Sequence, residues 1–273
     1  MIIARSKDEL AKHVKTLKSE GKSIGFVPTM GALHEGHLGL MRIAAKHADI
    51  VSVSIYVNPT QFAPHEDFDS YPRDIENDLS KLLVTGVGLV YLPRTEDIYP
   101  DGATITVKAG AAAQGLESDF RPHFFDGVTT VVHRLFDHMK PDVAVFGEKD
   151  FQQLQVIREM TETQNLGIKI IGGETARDQS GLALSSRNAY LSAEELETAR
   201  LLNKVLHDTA QANETERENA LETGKAALLD AGFTKIDYLS FKPEWHRILA
   251  AAWLGKTRLI DNMATDDSYS QIP

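Results

Sequence analysis

Two histidines three residues apart, His34 and His37, lie in the stretch VPTMGALHEGH (27–37), where an apolar run ends and a helical pattern begins. Imidazoles at such a corner can bind a metal, move a proton, meet phosphate, or only cap and pack. Zinc fits poorly. The metalloprotease pattern H-E-x-x-H spaces its histidines four apart, whereas HEGH spaces them three apart and brings no evident third ligand. Phosphate fits better, because a helix N-terminus presents unpaired N–H groups and the positive end of its dipole, to which imidazoles can add donors. The chain has no G-x-x-x-x-G-K-[ST] loop and no G-x-G-x-x-G after its first long apolar run.

Two further polar clusters follow apolar runs. NPTQF (58–62) carries Gln61, and GEKDFQQL (147–154) carries Lys149, Asp150 and Gln153. A lysine past a buried strand can be half of a surface ion pair, or it can meet a polyphosphate as a point charge. The glutamines are uncharged groups that both donate and accept, suited to a small hydroxylated substrate, although ordinary loop polarity explains either one alone. A fourth cluster, GLALSSRN (181–188), sets Ser185, Ser186 and Arg187 in a row. These can cap the next helix or clamp a phosphate.

These clusters need elements to hold them. The candidate strands are Ile24–Val27, Ile50–Val57, Gly88–Leu92, Asp142–Phe146 and Ile168–Ile171, most of them near-continuous in apolar character, as buried parallel strands are. Between them lie stripes of helical period, such as Leu38, Met41, Ala45 and Ala48, and Val128, Val131, Val132, Leu135 and Phe136. This alternation predicts an α/β fold with a doubly wound, Rossmann-like parallel sheet, whose ligands bind beyond the carboxyl ends of the strands. Three polar loops at three strand ends should therefore converge on one crevice. TITVK (104–108) reads as a short extra strand, and 110–126 as a loop with a helical turn.

The pattern changes near residue 173. Ser192 and Glu195 form a capping box ahead of an apolar helix face, a second helix over about 215–231 ends at Gly232, and KIDYLSF, RILAAAWLG and TRLIDNM read as strands. We therefore expect a Rossmann-like nucleotide- and substrate-binding domain over 1–172 and a smaller α+β domain over 173–273. The second is expected to act as a lid, because GLALSSRN lies at the junction.

The 273 residues suffice for a sizeable core. With 39 acidic residues against 29 basic and a net charge of −10, a protein built to grip nucleic acid is not expected. The absence of cysteine rules out thiolate nucleophiles, disulfides and Cys-ligated zinc. The first 22 residues carry charges throughout and no segment has the apolar length of a membrane span, so a cytoplasmic protein without a membrane partner is the expectation.

PTMGALHEGH resembles the H-x-G-H signature of the nucleotidyltransferase-like superfamily. Together with YVNPTQF, FGEKDFQQL and GLALSSRN, in this order and spacing, it closely resembles the pantoate–β-alanine ligases, from about residue 20 to 192 and again in AAWLGKTRLIDN. The resemblance implies ATP-dependent joining of pantoate to β-alanine through a pantoyl adenylate, with ATP and Mg2+ required and a homodimer as the working form. It assigns ATP to Met30, Gly31, Ala32, Leu33, His34, Glu35, Gly36 and His37, to Gly147, Glu148, Lys149 and Asp150, and to Ala176, Leu184, Ser185, Ser186 and Arg187. His37, His34, Lys149 and Arg187 would carry catalysis, Gln61 and Gln153 would bind pantoate, and Gln61 would also bind β-alanine. Asp78 matches the magnesium region. Where relatives commonly read close to RPGHFRGV, this chain has RPHFFDGV (121–128), with Phe124 in place of a histidine. Two other classes share part of the pattern: an H-x-G-H nucleotidyltransferase acting on a phosphate ester, and an inactive nucleotide-binding homologue.

Overall fold

The computed structural model describes residues 1–63 and 66–265. The chain divides into two compact units, Met1–Glu174 and Thr175–Pro273. Residues 266–273, at the end of the second, lie outside the described residues.

The first unit runs β1 (Ile2–Ala4), α1 (Lys7–Ser19), β2 (Ile24–Thr29), α2 (Glu35–Ala44), β3 (Ile50–Ile55), α3 (Ile75–Leu83), β4 (Leu89–Tyr91), α4 (Thr95–Ile98), α5 (Glu117–Phe120), α6 (Phe124–Met139), β5 (Val143–Gly147), α7 (Phe151–Thr163) and β6 (Lys169–Gly173). Its six strands pair in parallel in the order β1-β4-β3-β2-β5-β6. From β2 the chain steps outward through β3 and β4, then returns to the other side of β2 at β5, so strand order reverses between β2 and β5. Such a switch point is where open α/β sheets bind ligands.

The switch point is physically open. β2 pairs with β3 through Thr29↔Ile55, but with β5 only at Gly25↔Val143 and Phe26↔Ala144. Thr29 accepts from Tyr56 on the β3 side, while Ile24 accepts from Asp142 on the β5 side, so by alternation residue 28 faces β5. Pro28 has no N–H to offer, and it falls two residues beyond the last β2–β5 pair. Proline inside a central strand is tolerated where no ladder bond is required.

On one face of the sheet Met41 and Ala44 of α2, Leu82 of α3 and the loop residue Leu33 cluster with Val27, Val53, Val90 and Val145. On the other face Phe136 of α6 meets Phe26 and Phe146 edge-on, with ring centroids 6.3 Å apart in each pair. TITVK forms no strand. The Thr130 hydroxyl of α6 accepts from the N–H groups of Thr106 and Val107, and the hydroxyls of Thr129 and Thr130 donate to the Val107 carbonyl. Helix side chains thus satisfy the backbone groups that a neighbouring strand would have taken. The pattern read as a loop over 110–126 contains α5, and α6 already starts at Phe124.

The second unit holds α8 (Ala193–Ala210), α9 (Arg217–Asp230), β7 (Lys235–Lys242), β8 (Arg247–Leu254) and β9 (Thr257–Ala264), with the strands in one antiparallel sheet. Ser192 and Glu195 form the reciprocal cap expected for α8, at 3.2 and 2.8 Å. The second unit begins at Thr175, just after β6, which keeps its ladder to β5 through Gly147↔Gly173.

Candidate active site

Residues 30–34 join β2 to α2. Gly31 and Ala32 both have left-handed backbone, φ +86° and +50°. A Cβ at Gly31 would stand 3.0 Å from Asp78 Oδ2 and 3.1 Å from Ile55, so glycine serves both the angle and the close approach. The turn is held from outside. Asp78 of α3, 1 % exposed, accepts from the N–H of Ala32 at 2.9 Å and of Leu33 at 2.7 Å. Lys81, one turn on, donates to the Leu33 carbonyl at 2.7 Å. The family resemblance connects Asp78 with magnesium; in the fold its carboxylate braces this turn. Both of its oxygens are committed to backbone N–H groups, and among the described residues no group of three His, Cys, Asp or Glu side chains could hold a metal ion.

His34 is the N-cap of α2. Its Nδ1 accepts from Gly36 N–H at 3.2 Å, and His37 Nδ1 accepts from His34 N–H at 3.3 Å. The rings lie 4.1 Å apart between centroids. Capping and chemistry are therefore not rival readings. Each imidazole spends Nδ1 as an acceptor on the helix start, which places its proton on Nε2 and leaves that N–H as a donor. No other hydrogen bond engages either ring among the described residues. Burial, then the charges of Lys149 and Lys81, push the His34 pKa down to about 4. Burial, then His34, Lys149 and Lys81, push His37 down to about 3. Both rings are neutral donors at neutral pH.

This has a consequence for acid stability. Between the ordinary value of 6.5 and these lowered values, the unfolded chain binds protons that the folded chain refuses. Burial also lowers His138 to about 4, on α6 beside Tyr91. The part of the stability that comes from keeping these rings neutral is complete above 6.5 and is lost as pH falls toward 4. The unfolding temperature should accordingly drop between about pH 6.5 and 4.5 in the ligand-free protein. An unchanged value across that range would mean the rings titrate normally in the fold.

Lys149 and Asp150 lie in a single 3-10 turn between β5 and α7, half-buried, and both charges reach His34. The loops after β2 and β5 thus meet, as the strand-end argument expects. Gln153 follows in the first turn of α7, half-buried, and Gln61 ends the 3-10 turn Pro59–Gln61 after β3. No hydrogen bond joins the two glutamines among the described residues.

Gln61 is held by the first residue of its own motif, NPTQF. Asn58, buried, donates through Nδ2 to Gln61 Oε1 at 2.9 Å and to the Gly127 carbonyl at 3.3 Å, while its Oδ1 accepts from the Tyr99 hydroxyl at 2.7 Å. The Asn-Pro dipeptide was the available signal, since asparagine before proline marks a side chain that organises a turn. Gly127 of α6 packs directly on this turn, and a Cβ there would fall 2.3 Å from the Thr60 carbonyl oxygen. Arg121 closes the loop from the other side. Its guanidinium makes two bonds to Glu66, at 2.7 and 2.8 Å, donates to the Gln61 carbonyl at 2.9 Å, and lies 3.9 Å above the Phe124 ring. Phe124 is thus a platform for the cation that ties down the Gln61 loop.

In the second unit the Ala176 carbonyl accepts from Leu184 N–H at 2.9 Å, closing a narrow loop. Arg177 braces it with two bonds to Asp261 of β9, at 2.7 and 2.9 Å. Ser185 caps the short turn Ser186–Tyr190 by accepting from Arg187 N–H at 3.3 Å.

Neutral imidazole donors, a helix N-terminus and two lysines at the switch point of a doubly wound parallel sheet define a nucleotide-handling α/β enzyme. The family model described as pantoate-beta-alanine ligase matches residues 2–264, and the chain belongs to that family. It is 48% identical over 273 residues to the pantothenate synthetase of Mesorhizobium japonicum, covering 96% of each chain. Its fold matches the crystal structure of pantothenate synthetase from Thermus thermophilus, with a TM-score of 0.88, 38% identity and coverage of 96% of this chain and 99% of that one. A pantoate-beta-alanine ligase structure from Francisella tularensis, complexed with beta-gamma ATP and beta-alanine, matches with a TM-score of 0.86 at 37% identity over 97% of both chains.

Proposed function

We propose that this chain joins pantoate to β-alanine at the expense of ATP. The carboxylate of pantoate attacks the α-phosphorus, and the bond to the β-phosphate oxygen breaks as pyrophosphate leaves. The amine of β-alanine then attacks the acyl carbon of the adenylate, loses a proton, and AMP departs. No enzyme nucleophile is needed, so the protein's contribution is positioning and charge stabilisation. The observation that carries this reading is the pair of imidazoles whose Nδ1 atoms are fixed on the helix start, leaving two neutral Nε2–H donors at the switch point.

In this reading the Nε2–H groups of His34 and His37 bind phosphate oxygens as charge shifts from the α-phosphate to the leaving group. Lys149 and Arg187 add positive charge, with Ser185 and Ser186 as hydroxyl donors. Met30 to His37, Gly147 to Asp150, Ala176 and Leu184 to Arg187 bind ATP. Gln61 and Gln153 bind pantoate, with Gln61 also next to β-alanine. Neutral amides suit an uncharged hydroxylated chain and give no cationic pocket to a phosphorylated acceptor. The described residues do not fit a protein cage for Mg2+, so magnesium is proposed only as the companion of the nucleotide's own phosphates. A homodimer, testable by light scattering, and action in the cytoplasm complete the proposal. Among the described residues no helix is long and apolar enough to cross a membrane.

The test is isotope exchange between ATP and pyrophosphate. Exchange should require pantoate and not β-alanine. Exchange with a phosphorylated acceptor instead would favour a nucleotidyltransferase, and nucleotide binding without any exchange would favour an inactive homologue.

A further inference from the structure

Lys81 was not among the residues to which the sequence pointed. It lies on α3 one turn beyond Asp78, half-buried, with Nζ held 2.7 Å from the Leu33 carbonyl oxygen. That bond uses one of three ammonium N–H donors. No carboxylate pairs with Lys81 among the described residues. Asp78, the acid on its own helix face, has already given both oxygens to the N–H groups of Ala32 and Leu33.

The ammonium is therefore fixed in place without a counter-ion. Its charge reaches both His34 and His37, as does that of Lys149. The other charge registered at His34 is Asp150, beside Lys149 on the far strand end. Two ammonium groups thus approach one pair of neutral imidazoles, one from α3 and one from the turn after β5. A half-buried cation held on a backbone carbonyl leaves its remaining donors for an anion. Cations arriving from two elements match a multiply charged polyphosphate better than the single charge of an adenylate.

We propose that Lys81 is a second ammonium of the phosphate site, pairing with the polyphosphate portion of ATP and with departing pyrophosphate rather than with the AMP portion. The proposal rests on the ligase reading of the site.

The experiment compares wild type, Lys81→Met and Lys81→Arg by titration calorimetry with α,β-methylene-ATP and with AMP. Lys81→Met should weaken the ATP analogue by about tenfold or more, the scale of a charge-assisted hydrogen bond. AMP affinity should stay within about twofold, since AMP lacks the β- and γ-phosphates with which the half-buried ammonium would pair. Lys81→Arg should recover most of the loss. Unchanged binding of the analogue by Lys81→Met overturns the proposal. Equal weakening of analogue and AMP does so too, because it would make Lys81 only a tether for Leu33. Wild-type exchange in the same preparation separates the two levels. With pantoate-dependent exchange present, a negative result removes Lys81 alone; without it, the ligase reading falls and takes Lys81 with it.

Discussion

Replacing His37 with alanine should lower pantoate-dependent ATP–pyrophosphate exchange by about 10²–10³-fold, the range for losing one positioned donor or proton-transfer group. The loss has two sources that can be separated. His37 Nδ1 caps the helix by accepting from His34 N–H, and Nε2–H is the group proposed to serve the reaction. Alanine removes both. Asparagine keeps a short acceptor for the cap and removes the ring donor. His37→Asn should therefore unfold within a few degrees of wild type, since a cap contributes about 1 kcal/mol. Its exchange rate should nonetheless fall nearly as far as that of His37→Ala. Near-normal exchange by the asparagine variant would show that the ring serves the helix and not the reaction.

The second large effect is expected at Asp78, which the family resemblance connects with magnesium and the structure connects with the turn. Each of its bonds to Ala32 and Leu33 joins a buried carboxylate to a backbone N–H, at 2.9 and 2.7 Å. Bonds of this kind contribute about 1.5–3 kcal/mol each. Asp78→Ala should then cost about 3 kcal/mol or more of stability, measured by urea unfolding. It should also lower exchange by about 10²-fold, because a loop displaced by an ångström misplaces every donor it carries. Asp78→Asn keeps one acceptor and sets an NH2 group against the other N–H, so its loss should be intermediate. Raising Mg2+ discriminates the two roles. A metal ligand weakened to asparagine would recover activity with excess metal, whereas a brace for the turn would not.

Much of this was legible in the sequence because it depends on local rules. β2 to β6 announced themselves as Val- and Ile-rich runs, and α8 as a capping box followed by an apolar stripe. The corner at 27–37 could be placed at a strand–helix junction from Pro28, the glycines and the change of period. What could not be read depends on partners far along the chain. β1 is three residues long and carries too little pattern to register. TITVK has a strand's composition, but the threonines of α6, more than twenty residues away, take its backbone bonds. Asp78 and Lys81 look like ordinary polar positions of an amphipathic helix until packing sets them against residues 32 and 33. Asn58 lies within NPTQF, yet its bond to Gly127 requires α6 to arrive from elsewhere. Motifs therefore pointed to the groups proposed to meet substrate, while the bonds that aim those groups came only from the fold.

The contact between Gly127 and Thr60 carries that lesson into mutational tolerance. A backbone carbonyl occupies the space where any side chain at position 127 would begin. The helix start and the Gln61 turn are thus gauged against each other with no slack. Position 127 should admit a single residue type, and its intolerance would look like a core defect although its origin is the contact with the Gln61 turn. A random library at that codon, selected for growth without pantothenate, would return glycine whatever the surrounding residues allow.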